Sequence, residues 1–282
     1  MYNTKMLFKI IFYGFLIYAF LVLGLFLFQR KLIYHPLREE LNPQIVGLKD
    51  TQKTSIRAED GTQLSLWWQA PQNNLPIIVY FHGNAGNLKM RADKFHGFIA
   101  QNFGLVAVSY RGYGDSMGAP SEAGIYMDAR AAIKFAQTQF PQQPIILYGE
   151  SLGSGVAVQM AAEFPAQMLV LEAPYTSISA RGAELYPMFP IKYITRDNFN
   201  SLEKIPHLKM PLLIFHGAKD EVIPLHQGQR LLAAAPEPKK GLFYPDIGHT
   251  DFSPALLAQE IINFYHELGF DASVAKLPPV TD

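Results

Sequence analysis

A serine held between two glycines is the sharpest chemical signal in the sequence. The pentapeptide GESLG, residues 149–153, follows the apolar run 145–148 and precedes a helical pattern. A serine at such a strand-to-helix turn lifts its hydroxyl clear of the sheet, and the amides that begin the next helix favour negative charge beside it. We therefore predict that Ser151 is a nucleophile for acyl transfer. The alternative is a glycine-rich connection with an incidental serine.

Two further residues could activate that serine. A serine hydroxyl is a weak nucleophile that needs a base to take its proton and a carboxylate to orient the base. Asp220 lies in a loop after the apolar run 212–215, and His249 lies in a loop after the run 241–244. If these runs are parallel strands, all three loops meet at one edge of the sheet. We predict Asp220 as the orienting acid and His249 as the base.

Other acids and histidines compete for these roles. Glu221 neighbours Asp220, Asp246 lies three residues before His249, and Asp115 sits in a glycine-rich turn. Their positions in the sequence make them weaker candidates for the orienting acid than Asp220. The other histidines have neither the HExxH spacing nor a comparable ligand spacing, so we predict no catalytic metal and no cofactor. We interpret them as ordinary polar residues: His35, His82, His96, His207, His216, His226 and His266.

Acyl transfer also needs donors for the oxyanion that forms on the former carbonyl oxygen. We predict the backbone amide of Leu152 as one donor and that of Asn84, in the loop HGNAGN (82–87), as the other. Glycine-rich loops can also bind phosphate. The sequence has no GxxxxGK[ST], and the glycines of 112–118 miss the GxGxxG spacing, so we do not predict a nucleotide site.

The elements that must position these residues alternate along the chain. Short, continuous apolar runs are separated by longer amphipathic stretches, which is typical of a mostly parallel sheet covered by helices on both faces. Two strands around the turn at 59–61 open the domain as a hairpin. Residues 174–209 interrupt the alternation with a segment rich in proline and aromatics. It is predicted to be a lid whose aromatics either line an acyl-chain site or fill a small core of their own.

The amino terminus carries a long apolar segment. Residues 10–28 are 19 consecutive uncharged residues, and a helix of that length spans about 28 Å, close to the hydrocarbon thickness of a bilayer. Lys9 precedes it, and Arg30 and Lys31 follow it. A retained single-pass anchor is favoured over a cleaved signal peptide because no small-residue cleavage site follows, and over a buried core helix. The basic residues on its two sides balance, so its orientation stays open, with a lean towards the amino terminus inside.

The amino-acid composition excludes several kinds of functional site. The 282 residues carry 24 basic and 24 acidic side chains, and four of the basic ones lie in the amino-terminal segment, so the remainder is mildly acidic. A surface for nucleic acid is therefore not expected. The absence of cysteine excludes disulfides, thiolate metal sites and a cysteine nucleophile. We predict an anchor over 1–31, an α/β domain over 32–270 with the lid at about 174–209, and a disordered tail over 271–282. The oligomeric state is not predicted.

Five segments together resemble the membrane-anchored branch of the serine α/β-hydrolases, which includes abhydrolase-domain proteins, lysophospholipase-like proteins and depalmitoylases. They are HGNAGN (82–87), SYRGYGDSMGAPSEAG (109–124), GESLGSG (149–155), HGAKDEVIP (216–224) and GHTDF (248–252). The resemblance implies the α/β-hydrolase fold with about eight strands, and it implies a triad of Ser151, Asp220 and His249. It implies a structural role for the RGYGDS loop. The lack of an amino-terminal cysteine cluster argues against a depalmitoylase.

The function that this resemblance implies is hydrolysis of an ester or thioester of a lipid-like acyl substrate, through an acyl-serine intermediate. A small-molecule or lipid-like substrate and the bilayer are then the expected partners. Two alternatives stay open. The same triad could serve a peptidase or an acyltransferase, or the chain could be an inactive, membrane-tethered binding domain.

Overall fold

The computed structural model describes residues 4–40 and 42–270, and its centre is one eight-stranded sheet. The strands are β1 (Gln52–Arg57), β2 (Gln63–Gln69), β3 (Ile77–Phe81), β4 (Gly104–Val108), β5 (Ile145–Glu150), β6 (Met168–Glu172), β7 (Leu212–Gly217) and β8 (Lys239–Tyr244). Their order across the sheet is β1-β2-β4-β3-β5-β6-β7-β8. Only β2 runs against its neighbours, so the predicted mostly parallel sheet is confirmed.

Helices cover both faces of the sheet. Because alternate residues of a strand point to opposite faces, Val79 and Phe81 of β3 enter one apolar core while Ile78 and Tyr80 enter the other. The α-helices are α1 (Thr4–Ile33), α2 (Ala92–Ala100), α3 (Glu122–Gln139), α4 (Leu152–Glu163), α5 (Ile178–Leu185), α6 (Ile191–Ile194), α7 (Ser201–Lys204), α8 (Leu225–Ala234) and α9 (Pro254–Glu267). The first core is closed by α3, α4 and α8, and the second by α2 and α9.

The boundaries of two elements differ from the sequence pattern for local reasons. The amphipathic stretch 88–101 predicts one helix, but its first four residues form a separate 3-10 turn, Leu88–Arg91, which the Asn87 side chain caps by accepting the Lys89 amide at 3.1 Å. Strand β8 starts two residues before the apolar run. Its pairing with β7 at the sheet edge continues through two lysines that keep partial exposure.

Helix α1 is long and apolar enough to cross a membrane, and none of its residues is buried in the fold. A signal sequence near an amino terminus also meets these criteria of length and composition. The helix continues past the predicted end of the anchor, to Ile33. The next residues, His35–Pro36, form a short parallel pair with Ala85–Gly86, which ties the end of α1 to the loop after β3.

The segment 174–209 contains α5, α6, α7 and a 3-10 turn, Ile205–His207, and it contributes no strand. Its aromatics match neither alternative as a group. Phe199 is buried in the main core, and Tyr193 is exposed. Tyr175, which is also buried in the main core, and Tyr186, which is exposed, line a pocket beside Ser151. A further 3-10 turn, Pro43–Val46, precedes β1. The domain division stays a prediction, and the expected tail at 271–282 lies outside the described residues.

Candidate active site

Ser151 occupies the turn between β5 and α4 in a strained backbone conformation. Its φ of 51° and ψ of −116° lie outside the regions that non-glycine residues ordinarily adopt, at a cost of about 1–3 kcal/mol. Neighbouring backbone crowds the turn, since a Cβ on Gly153 would stand 2.0 Å from the Phe81 carbonyl oxygen. The glycine is therefore required for the close approach of β3 and α4, which holds the serine in place.

Asp220 lies three residues beyond β7, with its carboxylate buried. One oxygen, Oδ1, accepts the backbone N–H groups of Val222 at 2.9 Å and Ile223 at 2.7 Å. Burial raises the pKa of Asp220, but hydrogen bonds from His216, His249 and the Ile223 amide outweigh burial and lower the pKa below its usual value. The second oxygen, Oδ2, is thereby left as an ionised acceptor for an imidazole.

His249 links the other two side chains. Its Nδ1 stands 2.7 Å from Oδ2 of Asp220, and its Nε2 stands 2.9 Å from the Ser151 hydroxyl oxygen. With an ionised acceptor at Asp220, the proton of a neutral imidazole belongs on Nδ1, so Nε2 is free to accept from the serine. The structure thus brings the three predicted side chains into one hydrogen-bonded chain at the carboxyl edge of the sheet. Their catalytic role stays a prediction.

The residues that carry the two predicted oxyanion donors line the same pocket as Ser151. Within residues 4–40 and 42–270, neither the Asn84 nor the Leu152 backbone N–H donates to another protein group. The other polar groups of Asn84 are engaged. Its side-chain amide donates to the Ile33 carbonyl at 2.9 Å, and its own carbonyl accepts the Tyr113 hydroxyl at 2.7 Å. The RGYGDS loop therefore supports the Asn84 loop through Tyr113. Gly112 and Gly114 in that loop, and Gly118 two residues after it, have positive φ.

The competing candidates lie elsewhere. Asp246 is exposed and pairs with Lys219, and Asp115 pairs with Lys53. Burial lowers the pKa of His82 to about 3, and its two ring nitrogens contact only backbone groups, of Gly83 and Tyr110. His216 is the one histidine whose importance the sequence did not reveal, since its Nε2 donates to the Ile223 carbonyl at 2.7 Å and lies 3.4 Å from Asp220. Its position at the end of β7 was the available signal.

A mainly apolar pocket of about 300 Å³ adjoins Ser151. Its walls come from the lid, from the Val222–Ile223 loop and, unexpectedly, from the carboxyl-terminal part of α1. Among the described residues that line it, Arg181 is the only charged one. The same described part of the chain holds no group of three or more His, Cys, Asp or Glu side chains arranged to bind a metal ion.

A buried charge cluster, which was not predicted from the sequence, lies next to the turn that carries Ser151. Glu150, directly before Ser151, accepts Lys94 at 2.7 Å and Arg91 at 2.9 Å. Lys94 also contacts Glu172 at 2.8 Å, and two tyrosine hydroxyls, of Tyr80 and Tyr148, complete the cluster. Burial raises the pKa of Glu150, but the two cations outweigh burial and lower the pKa well below its usual value. Charged residues at the ends of two adjacent strands, β5 and β6, were the only signal for this cluster.

We expect Lys94→Met to destabilise the fold strongly. The substitution keeps the length of the side chain but removes the positive charge between two buried carboxylates. Breaking a buried ion pair in this way lowers the free energy of unfolding by about 3–5 kcal/mol. The free energy of unfolding, measured by urea titration of the full chain in detergent, tests this. Lys134→Met, at an exposed position on α3, is the matched control. Equal losses in the two variants would contradict a structural role for the cluster.

Comparisons with known proteins agree with this architecture. A family model described as serine aminopeptidase, S33 (Hydrolase_4), matches residues 72–194. The chain is 35% identical over 233 residues to an uncharacterized protein of Mycobacterium tuberculosis, and this alignment covers 81% of this chain and 82% of that protein. It is 30% identical over 267 residues to the lysophosphatidylserine lipase ABHD12 of Rattus norvegicus, and this alignment covers 81% of this chain and 64% of that protein. A solved esterase of Pyrococcus furiosus matches with a TM-score of 0.66 and 18% identity, over 83% of this chain and 97% of the esterase.

Proposed function

This chain belongs to the α/β-hydrolase family and is a hydrolase, and from that premise we propose that it is a membrane-anchored serine hydrolase acting on an ester or thioester of a lipid-like acyl substrate. The observation that carries the proposal is the continuous hydrogen-bonded chain from Asp220 through His249 to Ser151 beside an apolar pocket. Such a chain activates a serine hydroxyl at neutral pH.

The proposed reaction proceeds in two halves. His249 takes the Ser151 proton as the hydroxyl oxygen attacks the acyl carbonyl carbon, and Asp220 orients the imidazole and stabilises its charged form. The amides of Asn84 and Leu152 donate to the oxyanion. The tetrahedral intermediate collapses when His249 returns the proton to the leaving oxygen or sulfur. Water then attacks the acyl-serine with His249 again as the base, which releases the acid and restores the serine.

The proposed substrate is a lipid-like monoacyl ester. The pocket beside Ser151 is lined mainly by aliphatic side chains, which suits an acyl chain better than a polar group. The relative from Rattus norvegicus is named a lysophosphatidylserine lipase, and a lysophospholipid is a monoacyl ester. Helix α1 is proposed to span the bilayer, which would hold the pocket beside such a substrate.

An aminopeptidase is the second candidate, because the matching family model carries that description. A site for a free α-amine needs a carboxylate to pair with the charged amine. The described residues that line the pocket include a cation, Arg181, and no acid. The lining therefore favours an ester or thioester over an amino-terminal peptide.

Labelling with a fluorophosphonate, which phosphonylates activated serines, tests the proposed function. The full chain is solubilised in detergent, labelled, digested and analysed by mass spectrometry. We expect a single modified peptide, with the added mass on Ser151. The proposal would be abandoned if the folded protein stayed unlabelled, a result that favours an inactive binding domain. A labelled protein that cleaves peptide amides in preference to acyl esters would instead favour the peptidase.

A further inference from the structure

Helix α1 is fastened to the lid by an ion pair at its carboxyl-terminal end. Arg30 donates two hydrogen bonds to the carboxylate of Asp197, at 2.8 and 3.1 Å, and the Tyr34 hydroxyl donates a third at 3.1 Å. The Asp197 side chain is 4% exposed. The side chain of Gln29 adds two bonds to lid backbone, donating to the Ile194 carbonyl at 3.0 Å and accepting the Arg196 amide at 2.7 Å. A helix that served only as a tether would not need this fixed attachment, which we call the clasp.

The lid also contacts α1 far from the clasp. The Tyr18 hydroxyl donates to the Met188 carbonyl at 2.9 Å, and its ring stacks on Phe189 with centroids 5.8 Å apart. Tyr18 lies twelve residues before Arg30, which is about 18 Å along a helix. The lid segment 185–191, LYPMFPI, is uncharged, and its Met188 is 65% exposed. If Arg30 and Lys31 lie at the membrane interface, this segment reaches roughly the middle of a hydrocarbon core about 30 Å thick.

The pocket beside Ser151 lies at the level of the clasp, whose Gln29 is one of its lining residues. Leu25, Leu32 and Ile33 form its wall on α1, and lid residues such as Ile191 face them. The polar groups, the Ser151 hydroxyl and the Asn84 and Leu152 amides, belong to the sheet edge at the Ile33 level, where Asn84 bonds to the Ile33 carbonyl. Leu25 lies eight residues away from Ile33, or about 12 Å along the helix towards the bilayer interior. The volume of about 300 Å³ is at the lower end of the range for ligand pockets, which suits one acyl chain rather than two.

We infer that α1 is one wall of the acyl site, and that the substrate is a single-chain membrane amphiphile whose tail enters sideways from the leaflet, between α1 and the lid. The inference rests on the proposed function and deepens it. The scissile bond then lies at the membrane interface beside Ser151, the head group stays in water, and the acyl chain lies along Leu25. Residues of α1 therefore set the preference for chain length.

A pair of variants on α1 tests the wall. Leu25→Trp enlarges a residue that lines the pocket, whereas Leu27→Trp enlarges a residue that is 58% exposed on the same helix and does not line it. The full chain is reconstituted in phosphatidylcholine nanodiscs, and kcat/KM is measured for p-nitrophenyl palmitate and p-nitrophenyl acetate. We expect the ratio of palmitate to acetate to fall by about tenfold or more in Leu25→Trp, because each buried methylene adds to binding, and to stay at the wild-type value in Leu27→Trp.

The outcomes separate the inference from the function beneath it. If the palmitate-to-acetate ratio were unchanged in both variants, or fell equally in both, α1 would not be a wall of the acyl site. The proposed hydrolase function would still stand. A wild type that neither cleaves the acetate nor reacts with a fluorophosphonate would overturn the proposed function, and the inference with it.

A fluorescence measurement tests entry from the leaflet even if Leu25→Trp does not fold. Met188→Trp puts an indole at the exposed tip of the lid. Ile45→Trp, 75% exposed before β1 at the opposite edge of the sheet, is the control. In vesicles of brominated phosphatidylcholine, we expect emission above the wild-type background to be quenched in Met188→Trp and not in Ile45→Trp. Equal emission with and without bromine in Met188→Trp would overturn entry from the leaflet.

Discussion

Replacing Ser151 with alanine is expected to reduce ester hydrolysis by about 10⁵- to 10⁶-fold, the loss seen when a triad nucleophile is removed from a serine hydrolase. The oxygen that would form the acyl-enzyme is lost, while His249, Asp220 and the oxyanion amides stay in place. The measurement is kcat/KM for p-nitrophenyl butyrate with the full chain in detergent. The unfolding midpoint should change little, because the turn is held by backbone bonds such as that from the Ser151 amide to the Glu172 carbonyl at 2.9 Å.

The matched control for this substitution is Ser154→Ala. Ser154 lies one turn further along α4, is fully buried, and has a hydroxyl with no hydrogen-bond partner in the described part of the chain. Removing that hydroxyl should leave the rate within about twofold of the wild type, as expected for a substitution that breaks no catalytic contact. If Ser151→Ala kept more than a hundredth of the wild-type rate, a different nucleophile or a contaminating esterase would have to account for the activity.

The sequence predicted the sheet and the meeting of these loops because both follow from local patterns. Continuous apolar runs identify buried parallel strands, and parallel strands place the residues that follow them at one edge. Ser151, Asp220 and His249 each follow such a run, so their proximity in the structure could be expected without any knowledge of long-range contacts. The preference for Asp220 over its neighbour Glu221 also has a local basis, because a side chain one residue further along points in a different direction.

The wall formed by α1 could not be predicted in this way. Its apolar pattern is nearly uniform, so the sequence shows that the helix avoids water but not which side faces the pocket. The clasp joins Arg30 to Asp197 across more than half of the chain, and a single sequence carries no signal for that pairing. The cluster around Glu150 was missed for the same reason, since its cations lie on α2 and the preceding 3-10 turn. Local patterns predict the strands and their edges, whereas contacts between distant elements require the folded structure.

The substitution Asp220→Asn is expected to lower kcat by about 10⁴-fold, through the protonation of His249 rather than through loss of structure. Oδ1 accepts two backbone amides, from Val222 and Ile223, so the asparagine keeps its carbonyl oxygen at that position. Its NH₂ group must then replace Oδ2 and face Nδ1 of His249, where two donors would meet. The imidazole avoids the clash by moving its proton to Nε2. That nitrogen can then donate to Ser151 but can no longer take its proton.

The matched controls for this mechanism are Glu221→Gln, on the adjacent residue, and Asp246→Asn, the same chemical change three residues before His249. Both should keep the rate within about twofold of the wild type, as surface substitutions do. The tautomer itself can be observed, because ¹⁵N shifts of the His249 ring distinguish a proton on Nδ1 from one on Nε2. We expect the Nδ1-protonated form in the wild type and the Nε2-protonated form in Asp220→Asn. A large loss of rate without that exchange of tautomers would mean that Asp220 acts by its charge alone, and the donor conflict argued from the Val222 and Ile223 amides would be wrong.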